Sequence, residues 1–216
     1  MEHCKHSLRY LLDTNPFFSD SQIRQILRDV LTGLKSLHSR NIVHLDIKPE
    51  NILYAQSQKY KIADLGLSRI AIRRLGEEII EGDSRYLAPE LLNDANIGFM
   101  PDLTKADIFS LGVTFYELIT MINLPNNGEK WHEIRNGRLE GLDKDKGHSE
   151  SLKDLIRKMM DPCADKRPDA EELLESRFLM KEELAEIGWE KIENRILRTK
   201  IHELEEKLRI QRKKSC

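Results

Sequence analysis

The sequence predicts a mainly α fold with one small β hairpin, and three patterns predict it. Ile23, Ile26, Leu27, Val30, Leu31, Leu34 and Leu37 recur at the three-and-four spacing of one helix face, behind a capping-box signature of Ser19 with Gln22. Lys105 to Ile122 is almost wholly apolar, which predicts a helix buried on most sides. Ile52–Tyr54 and Tyr60–Ala63 flank a polar turn at Gln56 to Gln58 and read as a short hairpin.

Taken in order, residues 1 to 18 read as the tail of something larger. Their only pattern is a short helical one from Ser7 to Leu12 that ends at Asn15-Pro16, with no strand-rich region before it. The long helix then delivers the chain to His44, and the hairpin follows. From Leu67 to Asp83 the chain is polar and poorly periodic, a mobile loop bounded by Gly66 and Gly82. In the second long helix Asp107 must find donors, since a buried carboxylate without them is costly; backbone N–H groups near His44 are the expected ones, a plain helix cap the alternative. Further helices are expected at Trp131–Arg135, Leu152–Met160 and Asp169–Leu174. After Arg177 the composition turns to Glu, Lys and Arg, with Leu197, Ile201, Leu204 and Leu208 spaced as a short amphipathic helix. That helix, over 189–210, packs on its own domain or on a partner, and Arg209 to Lys214 reads as a solvated tail.

Composition bounds the function. With 39% hydrophobic and 33% charged residues in 216, the chain can build one sizeable core. A formal charge of -2 gives no basic field, so nucleic acid is not an expected partner. No stretch approaches the length of an apolar membrane span and the N-terminus lacks the apolar run of a secretory signal, so an intracellular protein without a membrane span is expected. Cys4, Cys163 and Cys216 are odd in number and far apart, which fits reduced thiols. His3-Cys4-x-His6 has no distant second pair and reads as a solvated terminus, not a metal site.

The chemistry concentrates in His44-Leu45-Asp46-Ile47-Lys48-Pro49-Glu50-Asn51, followed by Asp64-Leu65-Gly66. An Asp, a Lys two residues on, an Asn five on and a second Asp after a hairpin are what phosphoryl transfer from ATP-Mg²⁺ asks of a short loop and a turn. Asp46 is the candidate base toward an acceptor hydroxyl. Lys48 would neutralise charge on the transferred group, and Asn51 and Asp64 offer oxygen ligands to Mg²⁺. His44 is expected to orient the loop by hydrogen bonding. Glu90 and Arg167 are expected to form a structural ion pair.

With Ala88-Pro89-Glu90 and Arg167-Pro168 following in order, the set matches the protein-kinase signature. The chain resembles the C-terminal lobe of a eukaryotic protein kinase, which makes residues 1–180 a catalytic domain of C-lobe only and 181–216 a charged amphipathic helical tail. Within kinases it is similar to the Wee/Myt family, which phosphorylates cyclin-dependent kinases on inhibitory tyrosine, in Myt-type members also threonine. The stretches that carry this are Glu81 to Glu90, Ala106 to Leu111, Leu124-Pro125 and Gly128 to Gly137. The tail after Trp189 resembles the Wee branch. The resemblance implies ATP and Mg²⁺ as cofactors, a cyclin-dependent kinase as protein substrate, and the nucleus, or else the cytoplasm, as location. Leu45 replaces the usual arginine of the catalytic loop, which argues against activation by loop phosphorylation. The sequence contains no Gly-x-Gly-x-x-Gly loop and no matching strand lysine, so the N-terminal lobe reads as absent. Two other readings stay open: a catalytically silent lobe acting as a binding module, and a generic serine/threonine kinase.

Overall fold

The computed structural model describes residues 3–15, 17–71, 82–92 and 102–184, the side chains of 181–184 excepted. The chain divides into two compact units, Met1–Phe178 and Leu179–Cys216, and the site lies wholly in the first. The amphipathic pattern over 189–210 and most of the loop from Leu67 to Asp83 lie outside the described residues.

Strand β1 (Cys4–Ser7) leads directly into helix α1 (Leu8–Thr14), whose first turn is capped by the Ser7 hydroxyl accepting from the Tyr10 N–H. Sequence reading expected no strand here. β1 forms the edge of a three-stranded antiparallel sheet in the order β1-β3-β4, where β3 is Ile52–Ala55 and β4 is Tyr60–Ile62. The expected hairpin is therefore present, and it has gained a partner.

Helix α2 (Asp20–His38) starts where the capping box predicts: the Gln22 N–H donates to the Ser19 side chain and the Gln22 side chain accepts from the Ser19 N–H. Its apolar face, Ile23, Ile26, Leu27, Val30, Leu31 and Leu34, is fully buried. A Cβ on Gly33 would stand 3.0 Å from Ile62, so the helix rides closely on β4. A two-stranded ribbon, β2 (Ile42–Val43) with β5 (Arg69–Ile70), then brackets the stretch from His44 to Ser68.

Helix α3 (Leu103–Thr120) is the central post of the unit, buried at Leu103 and continuously from Ala106 to Ile119. Asp102 caps it by accepting from the Thr104 N–H, so the capping alternative for Asp107 falls away. The helix stops at Met121, whose φ of 54° is left-handed and whose N–H returns to Glu117. Helices α4 (Glu129–Arg135), α5 (Glu140–Lys144) and α6 (Glu150–Met159) follow, then α7 (Ala170–Leu174), capped by a second box of Asp169 with Glu172, and α8 (Arg177–Leu184). α6 approaches α3 at Gly112, where a Cβ would meet the Met160 side chain at 2.6 Å. α5, five residues long, and α8, which begins before the amphipathic pattern over 189–210, were not expected from the sequence.

The Glu90–Arg167 pair is formed and bidentate, with distances of 2.6 and 2.8 Å and an Arg167 side chain wholly withdrawn from solvent. The same guanidinium donates to the carbonyls of Asp161 and Lys105 and lies over the Phe109 ring. One arginine thus pins the loop before α3, the helix itself and the turn before α7.

Candidate active site

Asp107 positions the stretch that begins at His44. Its two carboxylate oxygens accept from the backbone N–H groups of His44 and Leu45, each at 2.8 Å, and Oδ2 also meets His38 Nε2 at 2.9 Å. Leu45 can then hold a left-handed φ of 64°, a backbone state that a leucine rarely adopts without such outside support. His44 is buried, with Nε2 donating to the Ala63 carbonyl at 3.0 Å and Nδ1 accepting from the Asp46 N–H at 3.3 Å. It orients the loop, as its place in the sequence suggests.

Asp46 is the hub. Its Oδ1 accepts from Lys48 Nζ at 3.0 Å and from the Asp83 N–H at 3.3 Å, and its Oδ2 accepts from Asn51 Nδ2 at 2.8 Å and from Lys48 at 2.8 Å. Asn51 Nδ2 also reaches the Asp46 carbonyl at 2.8 Å. The side chain of Asp46 is 9% exposed. Gly82 lies directly over it: a Cβ there would stand 2.6 Å from Oδ1 and 2.7 Å from the Leu45 carbonyl, so only glycine admits this approach. Lys48 faces the candidate base in this arrangement, where the sequence assigned it to the transferred group.

Asp64 stands apart from this cluster, although the hairpin holds it near. The Ala63 N–H donates to the Asn51 carbonyl at 2.8 Å, which brings Asn51 and the residue before Asp64 together across the β3–β4 hairpin. Asp64 itself is exposed, with a left-handed φ of 62°, and its Oδ1 accepts from the Gly66 N–H at 3.1 Å. Of Asn51 and Asp64, the amide nitrogen is committed to Asp46, which leaves an amide oxygen and an exposed carboxylate as donors. Hard oxygen donors in this number suit Mg²⁺, which keeps several waters of its own. The described residues hold no cluster of three or more His, Cys, Asp or Glu side chains able to cage a metal by themselves.

Next to the hub lies a polar network that no local pattern announced. Arg9 on α1 donates to Glu50 at 2.9 Å, to the Tyr86 hydroxyl at 2.9 Å and to Glu117 on α3 at 2.9 and 3.1 Å. The Tyr86 hydroxyl donates in turn to Glu117 at 2.6 Å, and burial first, then the Glu117 charge, pushes that phenol far above its ordinary range. Arg85 grips Asp83 with a two-pronged contact, 2.6 Å at its shortest, and holds that carboxyl below its usual value.

Comparison with known proteins gives this geometry a family. Residues 1–179 match the protein kinase domain. The chain belongs to the protein kinase family. Such kinases transfer phosphate to protein substrates with ATP and a divalent metal. Among its relatives are a membrane-associated tyrosine- and threonine-specific cdc2-inhibitory kinase of Drosophila melanogaster, 43% identical over 178 residues, covering 81% of this chain and 32% of the relative. A Wee1-like protein kinase of rice is 38% identical over 174 residues, covering 81% and 31%. The Wee1-like protein kinase 1-A of Xenopus laevis is 32% identical over 215 residues, covering 87% and 36%. The chain thus spans about a third of the length of these relatives, and Wee1-like and cdc2-inhibitory kinases are both among them. No described helix is long and apolar enough to cross a membrane.

Proposed function

We propose that this chain is the C-terminal lobe, residues 1–180, of a kinase that places an inhibitory phosphate on a tyrosine of a cyclin-dependent kinase, followed by a helical tail over 181–216. The observation that carries the proposal is the Asp46 carboxylate, held by Lys48 and Asn51 beneath the Gly82–Asp83 backbone. In this reading Asp46 takes the acceptor hydroxyl's proton, worth ~10²- to 10⁴-fold when positioned. Lys48 shifts from Asp46 toward the transferred phosphoryl group as the acceptor enters. Asn51, through its amide oxygen, and Asp64, through its exposed carboxylate, would hold the divalent metal. ATP-Mg²⁺ supplies the phosphoryl group and screens its charge. The substrate assignment rests on the cdc2-inhibitory and Wee1-like relatives; a nuclear location is proposed with it from the resemblance to the Wee branch alone.

The chain alone should be folded and nearly inactive. Its core and the Glu90–Arg167 pair lie within the lobe, but it has no glycine-rich cradle over the ATP phosphates, and positioning dominates this reaction class. Joined to a glycine-rich nucleotide lobe, as a completed kinase, it should phosphorylate tyrosine on a cyclin-dependent kinase in preference to generic peptides. A phosphosite map showing only serine and threonine on unrelated proteins would move the assignment to a generic serine/threonine kinase. A second reading, a binding lobe without turnover, is favoured by one observation: both oxygens of Asp46 are already engaged. Tight cyclin-dependent-kinase binding by the completed kinase, without phosphate transfer, would select it.

A further inference from the structure

The segment from Trp131 to Arg135 in α4 takes no part in the Asp46 cluster, yet it buries a full charge with no counter-charge among the described residues. Arg135 is 3% exposed, and burial alone pulls its guanidinium down to about 10, so it stays charged at neutral pH. Its hydrogen bonds go to backbone carbonyls instead of carboxylates. One terminal nitrogen donates to Ser84 at 2.7 Å and to Arg85 at 3.2 Å, and the other to the Trp131 carbonyl one turn back at 3.2 Å. Its Nε has no hydrogen-bond partner. The Trp131 ring lies 3.7 Å below the guanidinium, and its Nε1–H donates to the same Ser84 carbonyl at 2.9 Å. The Ser84 hydroxyl adds a bond to the Asn126 carbonyl at 3.2 Å.

For stability alone this arrangement is a poor choice, because a buried charge without a partner charge costs more than an apolar side chain of the same volume. What the guanidinium and indole supply is direction. Together they fix two consecutive carbonyls, Ser84 and Arg85, in the turn closed by the Tyr86 N–H on the Asp83 carbonyl at 2.9 Å. The first residue of that turn donates its N–H to Asp46. Ser110 on α3 holds the far end by donating to the Tyr86 carbonyl at 2.8 Å.

We propose that Trp131 and Arg135 are positioning residues for the acceptor: they hold the Asp83–Tyr86 turn in register with Asp46, so that the incoming hydroxyl meets one shape of loop. This rests on the reading of Asp46 as the base. Neither residue touches the reacting atoms.

The direct test is amide hydrogen exchange on the 216-residue chain with Arg135→Met, which keeps bulk and removes the charge and its donors. Exchange at Asp83 and Tyr86 should rise about tenfold or more while the His44 and Leu45 amides and the melting temperature hold. Arg135→Lys, which keeps the charge without the fork, should fall between. Trp131→Phe, which keeps the ring and loses one donor, should give a smaller rise, and it carries the test if Arg135→Met fails to fold. In the completed kinase the same variants should raise KM for the protein acceptor while KM for ATP and kcat at saturating acceptor stay near wild type. Exchange unchanged at Asp83–Tyr86, or raised uniformly with a lowered melting temperature, would overturn the proposal. So would a turn that loosens without any change in acceptor KM. A wild type that takes no cyclin-dependent kinase would instead sink the proposed substrate, and the exchange measurement would still decide the clamp.

Discussion

The two aspartates of the site live in opposite surroundings. Asp46 is almost withdrawn from solvent and both its oxygens are bonded, while Asp64 is exposed and is held by a neighbouring backbone amide in its own turn. Behind Asp46 stand Asp107, the α3 helix and the Arg9 network; around Asp64 the neighbouring Leu65 is 57% exposed and Ile70 on β5 is 64% exposed. The Asp46 half, which the proposed function gives to the acceptor, is therefore built by this unit itself. The Asp64 half, which the same proposal gives to the nucleotide, is exposed and held by a turn bond. A reaction that depends on placing two charged groups in line can be assembled in this divided way, with one half set in advance and the other ordered by its ligand.

Substitutions at the two aspartates break the comparison most directly. In the completed kinase, Asp46→Asn should lower phosphate transfer by ~10³-fold or more, within the range of a lost base. Asp64→Asn should do as much through lost metal binding, and because Asp64 is exposed its melting temperature should match wild type. Thermal melts beside single-turnover rates decide this; turnover near wild type in either variant would end the assignment.

Glu90→Gln comes next and tests the frame behind the Asp46 half. It leaves the buried Arg167 charge unpaired and should cost ~3–5 kcal/mol in denaturant unfolding. Asp107→Asn should cost less, ~1.5–3 kcal/mol, the worth of hydrogen bonds to a buried charge. Its mark should be faster exchange at the His44 and Leu45 amides, with the Asp64 turn untouched.

The smallest effect concerns pH. Arg85 holds the Asp83 carboxyl below its ordinary value, so the pair contributes order above the usual carboxylate range of ~4 and loses it as pH falls through the lower folded value. Exchange at Tyr86 followed from neutral to acid pH should rise only below that range. A rise beginning near neutrality would point to another group.

The sequence carried the Asp46 half further than the rest for a physical reason. The capping box at Ser19, the apolar face of α2 and the apolar run of α3 are local patterns, and local patterns survive in one dimension. Asp107 was legible because a carboxylate in an apolar helix must find donors, and the nearest expected ones were the loop amides it does bind. β1 was not legible, since Cys4–Ser7 has no alternation of its own and exists through pairing with β3. The two-residue strands β2 and β5 are too short to leave a period. Arg9 was invisible for another reason: its partners lie 41, 77 and 108 residues away, and no spacing rule reaches them.

One consequence of the Arg9 network concerns the protein as a target of its own chemistry. The turn against Asp46 carries a tyrosine, so a kinase acting on tyrosine, as proposed above, would have that phenol at its own threshold. Tyr86 is 2% exposed, its O–H is held on Glu117, and Arg9 covers the oxygen from the other side. Reaching it would mean breaking a 2.6 Å bond to a carboxylate and drawing the ring out of its bed. The resident phenol is thereby withheld from whatever chemistry takes place beside Asp46, and a hydroxyl that reacts there has to come from elsewhere.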